Sequence, residues 1–554
     1  MKAIDLYSGI GGWALGLKLA GIEVVRSYEW WTAANDTYSR NFGALTQDTD
    51  IRTLPLADLP TVGSVDVVVG SPPCTQFSYS NRGGSGDLVD GLVDVRRMLA
   101  IVEHLRPKYW VMENVPRVSR ILEQELAPFG SLHEYAHLVT VNEVVNMADY
   151  GLPQSRKRML AGNFPVQLLR SYRGQFQRLS LGDVVSALQA DLVVDPLFGH
   201  RLSSAELSDH LVEEPLTPEE ERMNREAKTY HPVYNRMSFP DRLDRPARTV
   251  TATCTRVSRE SVVVKDPASG LLRRLTLRER ASLQGFPITF QFFGKTYAER
   301  TKMIGNAIPP FFTYLVAMAM SEVPPAALPH PSKAPRQHFS VGGTSKSVPP
   351  DSIRTRYPES RTFRAALPGL RFGSGVRFQL ENGRFGERAS WSAEFYYGTS
   401  KRIHRADLSI DVVSGVLRSR GLGHLLADAG REAMVEVLGF IRACPPDQLQ
   451  ERWTRRAAGP GPYELVDQLG DAVRRLQDLT KPFAGSAGQE AAVALFPGLN
   501  ARLQGDDLGR VVHGAAICSL FNAAYSSRSA VDTDSLFQPS HASSAFSRET
   551  LVPT

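Results

Sequence analysis

At 554 residues the chain exceeds what a single hydrophobic core ordinarily organises, so two or more domains are expected. Hydrophobic residues make up 42% and charged residues 22%, the balance of a globular protein, and no apolar run approaches the roughly 20 residues that span a bilayer. A net charge of +6 fits a polyanionic partner without requiring one, while four scattered cysteines lacking a CxxC pair argue against a disulfide framework or a zinc knuckle.

Asp5 falls where a signal peptide would be apolar, so a cytoplasmic protein is expected. Lys2 to Leu6 reads as a short buried strand, followed by a glycine turn and a helix from about Trp13 to Ala20. Further strand patterns fall at Glu23–Ser27, Val65–Val69 and Tyr109–Met112, the last after a helix from about Asp94 to Leu105. Strands alternating with helices predict a doubly wound, Rossmann-like α/β sheet over residues 1–159 and 245–322. The alternation lapses over 160–244, which reads as an inserted domain. Proline, glycine and serine over 323–354 have the composition of a linker. Residues 355–525 read as an α+β domain with amphipathic helices near Gly423–Cys444 and Tyr463–Leu479, and 526–554 as a disordered tail.

The first chemical motif is Asp5-Leu6-Tyr7-Ser8-Gly9-Ile10-Gly11-Gly12. A glycine turn between strand and helix lets backbone amides approach a ligand, and it suits the carboxylate of S-adenosyl-L-methionine as readily as a pyrophosphate. At the end of the second strand Glu29 can hold ribose hydroxyls and Trp30 can stack on adenine. Asp50, before Ile51, can accept from an adenine amino group. Taken singly, each acid is better explained as a solvated loop carboxylate.

Gly70-Ser71-Pro72-Pro73-Cys74-Thr75-Gln76-Phe77-Ser78 follows the strand Val65–Val69 directly. Two prolines fix the backbone beside a cysteine at a strand's carboxyl end, where ligands of open α/β sheets bind. A thiolate adding at C6 of cytosine makes C5 able to attack an electrophilic methyl group, provided an acid attends N3. Glu113, at the end of another strand, is placed for that task. Arg156 and Arg158 alternate along an extended segment, so both are expected on one side, one toward the cytosine O2 and the other toward a phosphate.

These pieces, continued by Arg245-Pro246-Ala247-Arg248-Thr249, Leu283-Gln284-Gly285-Phe286-Pro287 and Gly305-Asn306-Ala307-Ile308-Pro309-Pro310, occur in an order that closely resembles the cytosine-C5 DNA methyltransferases. The resemblance covers about residues 1–320. It implies Cys74 as nucleophile, Glu113 at N3, and Arg156 and Arg158 in the base pocket. It also implies S-adenosyl-L-methionine held by the turn from Asp5 to Gly12, by Glu29, Trp30, Asp50, Ile51 and Pro73, and closed by Asn306 with Ala307. Residues 160–244 become a target-recognition domain, double-stranded DNA the partner, and the target base one flipped out of the duplex. Asn81-Arg82-Gly83-Gly84-Ser85-Gly86 is expected to close over that base. No metal site is expected. Thr75 stands where many members have glutamine, which puts one DNA contact in doubt.

A tRNA cytosine methyltransferase is the nearest rival, but the Cys-Phe-Thr signature of that branch is absent. A catalytically idle DNA-binding scaffold would not require Cys74, Glu113 and both arginines together. For residues 355–525 three readings stay open. Arginines interleaved with aromatics fit either nucleic acid or a half-buried sheet with a solvated face. Asp407 and Asp411 are too ordinary to establish a fused nuclease, and the apolar helix faces allow a protein partner such as a cognate restriction endonuclease.

Overall fold

Four runs with apolar or β-branched centres and one short polar pair line up in parallel: Lys2–Leu6 (β1), Glu23–Glu29 (β2), the pair Gln47–Asp48 (β3), Val67–Gly70 (β4) and Tyr109–Asn114 (β5). The structure, a computed structural model, describes residues 1–43, 47–77, 86–229, 237–334, 344–353, 355–373, 375–386, 388–399, 402–480, 486–499 and 503–526. Val141–Asn146 (β6), the short Gln154–Ser155 (β7) and Lys157–Asn163 (β8) follow. A seven-stranded mixed sheet results, in the order β3-β2-β1-β4-β5-β8-β6, with β8 antiparallel to both neighbours. Val67, Val68, Val69 and Val111 are fully buried, as strands covered on both faces require.

Gly12–Leu19 (α1), Thr32–Phe42 (α2), Leu88–Leu105 (α3) and Arg117–Leu126 (α4) complete the alternation. The helix expected from Asp94 begins earlier because Asp87 caps it, its carboxylate accepting the amides of Val89 and Asp90. Beyond β8 come Val166–Ser171 (α5), Leu181–Leu188 (α6), a ribbon of Leu192–Val194 (β9) with Arg201–Ser203 (β10), and Pro218–Thr229 (α7). Ala247–Arg248 (β11) pairs with β7, and Val263–Lys265 (β12) with Leu272–Arg274 (β13). Leu277–Leu283 (α8), Tyr297–Asn306 (α9) and Pro310–Met320 (α10) follow.

Three expectations are corrected here. A boundary at residue 160 cuts β8, and α5 behind it packs on α10, so the sheet-bearing core runs on through Tyr172. The described residues of the expected linker 323–354 are not all free: Ser345 is buried and donates to Gln291, and Arg300 donates to the Lys346 carbonyl. A proline-rich strip makes few backbone bonds of its own, so it lies down on a surface that supplies them. Tyr297–Met320 does reach the length and hydropathy of a bilayer span, but it is two helices broken at Ala307–Pro309 and 89% buried in the core.

The described residues from Ile353 onward form a second compact unit. Arg364–Arg371 (β14), Arg377–Phe385 (β15), Arg388–Thr399 (β16) and Arg402–Arg405 (β17) make an antiparallel sheet in sequence order. Seven helices follow among the described residues: Ile410–Ser419 (α11), Asp428–Ala433 (α12), Val435–Ala443 (α13), Pro446–Trp453 (α14), Pro462–Leu479 (α15), Ser486–Leu495 (α16) and Asp506–Ser526 (α17). The α+β expectation holds for this unit, while the helix expected over Gly423–Cys444 is split in two at Met434. The tail beyond Ser526 lies outside the described residues.

Candidate active site

The carboxyl ends of β1, β2, β4 and β5 meet at one edge of the sheet, and antiparallel β8 begins there. That topology, rather than proximity in sequence, assembles the predicted residues.

Cys74 sits on the turn after β4, partly exposed. The turn is fixed from three sides. Asn114 Nδ2 donates to the Pro72 carbonyl at 3.1 Å, the Trp13 indole donates to Ser71 Oγ at 3.1 Å, and the Phe77 amide donates to the Cys74 carbonyl at 3.0 Å. Burial pushes the thiol above its ordinary range; Arg158 pulls it back, Glu113 opposes, and Arg156 assists. Glu113, at the end of β5, is buried, and Arg158 Nε lies 2.9 Å from its Oε1. With the site's arginine only 13% exposed along its side chain, this is a desolvated, directional pair.

Arg156 departs from expectation. It is 2% exposed and donates to the carbonyls of Val250 (3.2 Å), Gly305 (3.2 Å) and Ala307 (3.1 Å), so both of its terminal nitrogens are held by the backbone. Burial, with Arg158 nearby, lowers its pKa to about 9. It acts as a clamp that returns the segment before α10 to the site. Gln154 does the same, donating to the Leu283 carbonyl and to Gln284 Oε1 while accepting from the Val250 amide.

Beside the cysteine turn lies a cleft at the ends of β1 and β2. Gly9 and Gly11 take φ of +54° and +90°, and Tyr7 of +54°, which folds the turn tightly enough for the Gly9 amide to reach Glu29 and the Gly11 amide the Ser8 carbonyl. A methyl group on Gly12 would meet the Ile308 carbonyl at 2.2 Å, so the turn and the Asn306–Ala307 segment close directly on each other. Asn306 is exposed and Ala307 half-buried. Ser8 Oγ is buried without a hydrogen-bond partner, and Ile10 is buried beneath it in the core. Glu29 accepts the amides of Gly9 (2.9 Å) and Trp31 (2.8 Å), one on each oxygen, leaving lone pairs for a ligand. Burial raises its pKa against those two bonds. Trp30 stands 67% exposed at the strand end, an unused aromatic face, and Pro73 is exposed on the facing turn. Asp50 is exposed, while Ile51 is buried. Asp5 is fully buried under the turn, where desolvation raises its pKa and the Ala14 amide opposes that rise.

Sequence reasoning missed a second tether. Arg52 bridges Asp94 (2.7 Å) and Asp90 (2.8 Å), Asp90 accepts from Gln76 Nε2 at 3.1 Å, and the Tyr7 hydroxyl reaches the Asp94 carbonyl at 3.2 Å. The cleft side is thereby tied to the residues just past Cys74. Partners 14 to 87 residues apart leave no local pattern to read. The segment expected to close over the base lies, but for Gly86, outside the described residues. Among the described residues no cluster of His, Cys, Asp or Glu is placed to hold a metal ion.

The profile of the C-5 cytosine-specific DNA methylases matches residues 1–322. The type II methyltransferase M.HindV of Haemophilus influenzae is 29% identical over 332 residues, covering 58% of this chain and 96% of that protein. M.FnuDI of Fusobacterium nucleatum is 28% identical over 348 residues, covering 58% and 94%. M.HgiDI of Herpetosiphon aurantiacus is 29% identical over 332 residues, covering 58% and 94%. Since the match runs through every segment that builds this edge of the sheet, the chain belongs to the C-5 cytosine-specific DNA methylase family.

Proposed function

We propose that the chain methylates C5 of cytosine within a specific duplex DNA sequence, using S-adenosyl-L-methionine and a covalent bond between Cys74 and C6. The setting is cytoplasmic, in restriction-modification or in phage or host DNA modification, as the type II names of the relatives support. The observation that carries this reading is the meeting of Cys74, Glu113 and Arg158 at one edge of the sheet.

The cleft fits the methyl donor. Its glycine turn and the unsatisfied Ser8 Oγ suit the amino-acid end, Glu29 the ribose hydroxyls, and Trp30, Asp50 and Ile51 the adenine. When bound, S-adenosyl-L-methionine supplies an electrophilic methyl group. The chain's own residues prepare the base. With the target cytosine out of the stack, the Cys74 thiolate adds to C6 and electron density moves to N3 and C5. Glu113 supplies the proton at N3. Arg158, aligned by its pair with Glu113, donates to O2 and steadies the developing charge. Once C5 carries the methyl group, its proton leaves to water, the C6–S bond breaks to expel the Cys74 thiolate, and the N3 proton returns to Glu113, which restores the ring.

Bisulfite sequencing of DNA from cells expressing the chain should show one protected sequence, absent with Cys74→Ser. Labelled methyl appearing on tRNA and not on duplex DNA would overturn the substrate. No transfer to mixed-sequence DNA, with Cys74→Ala indistinguishable from the unaltered chain, would leave a scaffold.

A further inference from the structure

Basic charge is concentrated at the start of the second unit. Residues 353–405 carry ten arginines and one lysine against four acids, whereas residues 406–526 carry twelve basic residues against fourteen acids. Seven of those ten arginines lie on the four strands of the sheet.

That sheet has two unlike faces. Phe378, Leu380, Trp391, Ala393 and Phe395 are buried, and α14, α15 and α17 pack on the sheet. The alternate residues belong to the other face. On it, one row crosses all four strands: Arg371 lies opposite Arg377, Arg377 opposite Tyr396, and Tyr396 opposite Arg405. Arg364, opposite Glu381, adds a fourth arginine to the same face.

Arg371 and Arg377 thus bring two like charges to one register position on adjoining strands, a placement that costs a sheet some stability. The two acids beneath do not remove the charge from the surface. Glu381 and Glu394 lie low, 13% and 7% exposed, while Arg364 and Arg405 project, 74% and 60% exposed. Glu394 orients Arg405 through Nε at 2.7 Å, and Glu381 is shared with the Tyr396 hydroxyl at 3.1 Å. Arg377 donates through Nε to Gln379 at 2.7 Å and lies 5.3 Å from the Tyr396 ring, so its guanidinium is held within the row between Arg371 and Tyr396. A surface this charged, with one aromatic ring in its main row, is unlike the core of a protein–protein interface.

We propose that this face is a second docking surface for duplex DNA, gripping the phosphate backbone independently of sequence. Crossing four strands, the row spans about 14 Å, and a duplex presents one negative charge per about 1.7 Å of axis, so several phosphates face it at once. Arginine is suited to the task because its planar fork bonds phosphate oxygens in pairs. The established chemistry of the family guides only the choice of duplex over other polyanions; binding here needs neither cytosine nor methyl transfer.

The test uses the full chain and an alternating dA–dT duplex, which contains no target base, without methyl donor. Replacing Arg364, Arg371 and Arg405 together by glutamine should make the plot of log affinity against log salt shallower by about 2 to 3, at roughly 0.9 per lost phosphate contact. Glu381→Gln should act oppositely and tighten binding, a sign that damage to the fold does not mimic. Methyl transfer at saturating target DNA should keep its rate in both variants. Unchanged salt dependence in the triple variant, or weaker binding in Glu381→Gln, overturns the proposal. Loss confined to single-stranded RNA, or to a copurifying protein while duplex binding persists, overturns it too by assigning the face to that partner.

Discussion

In the first unit Arg256, Arg273, Arg274 and Arg278 lie inside the fold, their side chains at most 3% exposed and each against a carboxylate. In the second unit Arg364 and Arg405 stand well out of the surface over acids that lie beneath them. The same residue type serves as internal fastening in one region and as outward charge in the other. What separates the two uses is desolvation. A buried guanidinium must have its partner, while an exposed one gains little from its own and stays available.

The largest break in that contrast should come from Arg278. It pairs with Asp209 at 2.7 Å and also donates to the carbonyls of Pro287 (3.1 Å) and Phe290 (2.7 Å), tying the inserted region to the turn after α8. Arg278→Ala leaves Asp209 buried without its charge partner and should cost about 3–5 kcal/mol in urea denaturation of the full chain. A loss under about 1 kcal/mol would show that water reaches the gap and that the pair is not a fastening.

How far the sequence foretold the site follows the same division between local and distant causes. The strands β1, β2, β4 and β5 were legible because buried parallel strands are written as short apolar runs, and Cys74 and Glu113 because one follows such a run on a proline-fixed turn and the other lies at the end of one. Arg156 lies deeper than expected for a physical reason. Gln154–Ser155 pairs with Ala247–Arg248, and Lys157–Asn163 pairs with β5 and β6, so the backbone changes partners at Arg156. The rule that alternate residues share a face holds only within one strand. The Trp13–Ser71 and Arg52–Asp90–Gln76 links were invisible because their members meet only after the sheet has formed.

Lys228 sharpens the contrast from the other side. It is fully buried on α7, donates to Asn224 Oδ1, and lies 5.3 Å from the Phe239 ring, with no bonded carboxylate among the described residues such as the arginines have. Burial first, then repulsion from Arg248, lowers its pKa to about 7, with Asp241 opposing. Between about 7 and the ordinary 10.5 the unfolded chain therefore holds a proton that the folded chain lacks, so stability should rise with pH across that window. The slope from this group is at most about 1.4 kcal/mol per pH unit. Denaturation midpoints at pH 7, 8 and 9 should climb in the unaltered chain and flatten in Lys228→Met. Equal slopes would mean that Lys228 keeps its charge when buried.

The smallest effects should lie on the outward arginines, and they should still be graded by the burial of what each leaves behind. Arg405→Ala strips Glu394, 7% exposed, of its charge partner, though Ser392 Oγ at 2.6 Å still bonds that carboxylate, so a cost near 1 kcal/mol is expected. Arg364 is 3.6 Å from Glu381, which keeps Gln379 and Tyr396 as donors, so Arg364→Ala should change stability by no more than about 0.5 kcal/mol. The order matters more than either value. If Arg364→Ala destabilised the second unit as much as Arg405→Ala does, its guanidinium would be part of the fold. A surface built to meet phosphates needs arginines that the fold can spare, and Arg364 is the one on which that requirement is most directly read.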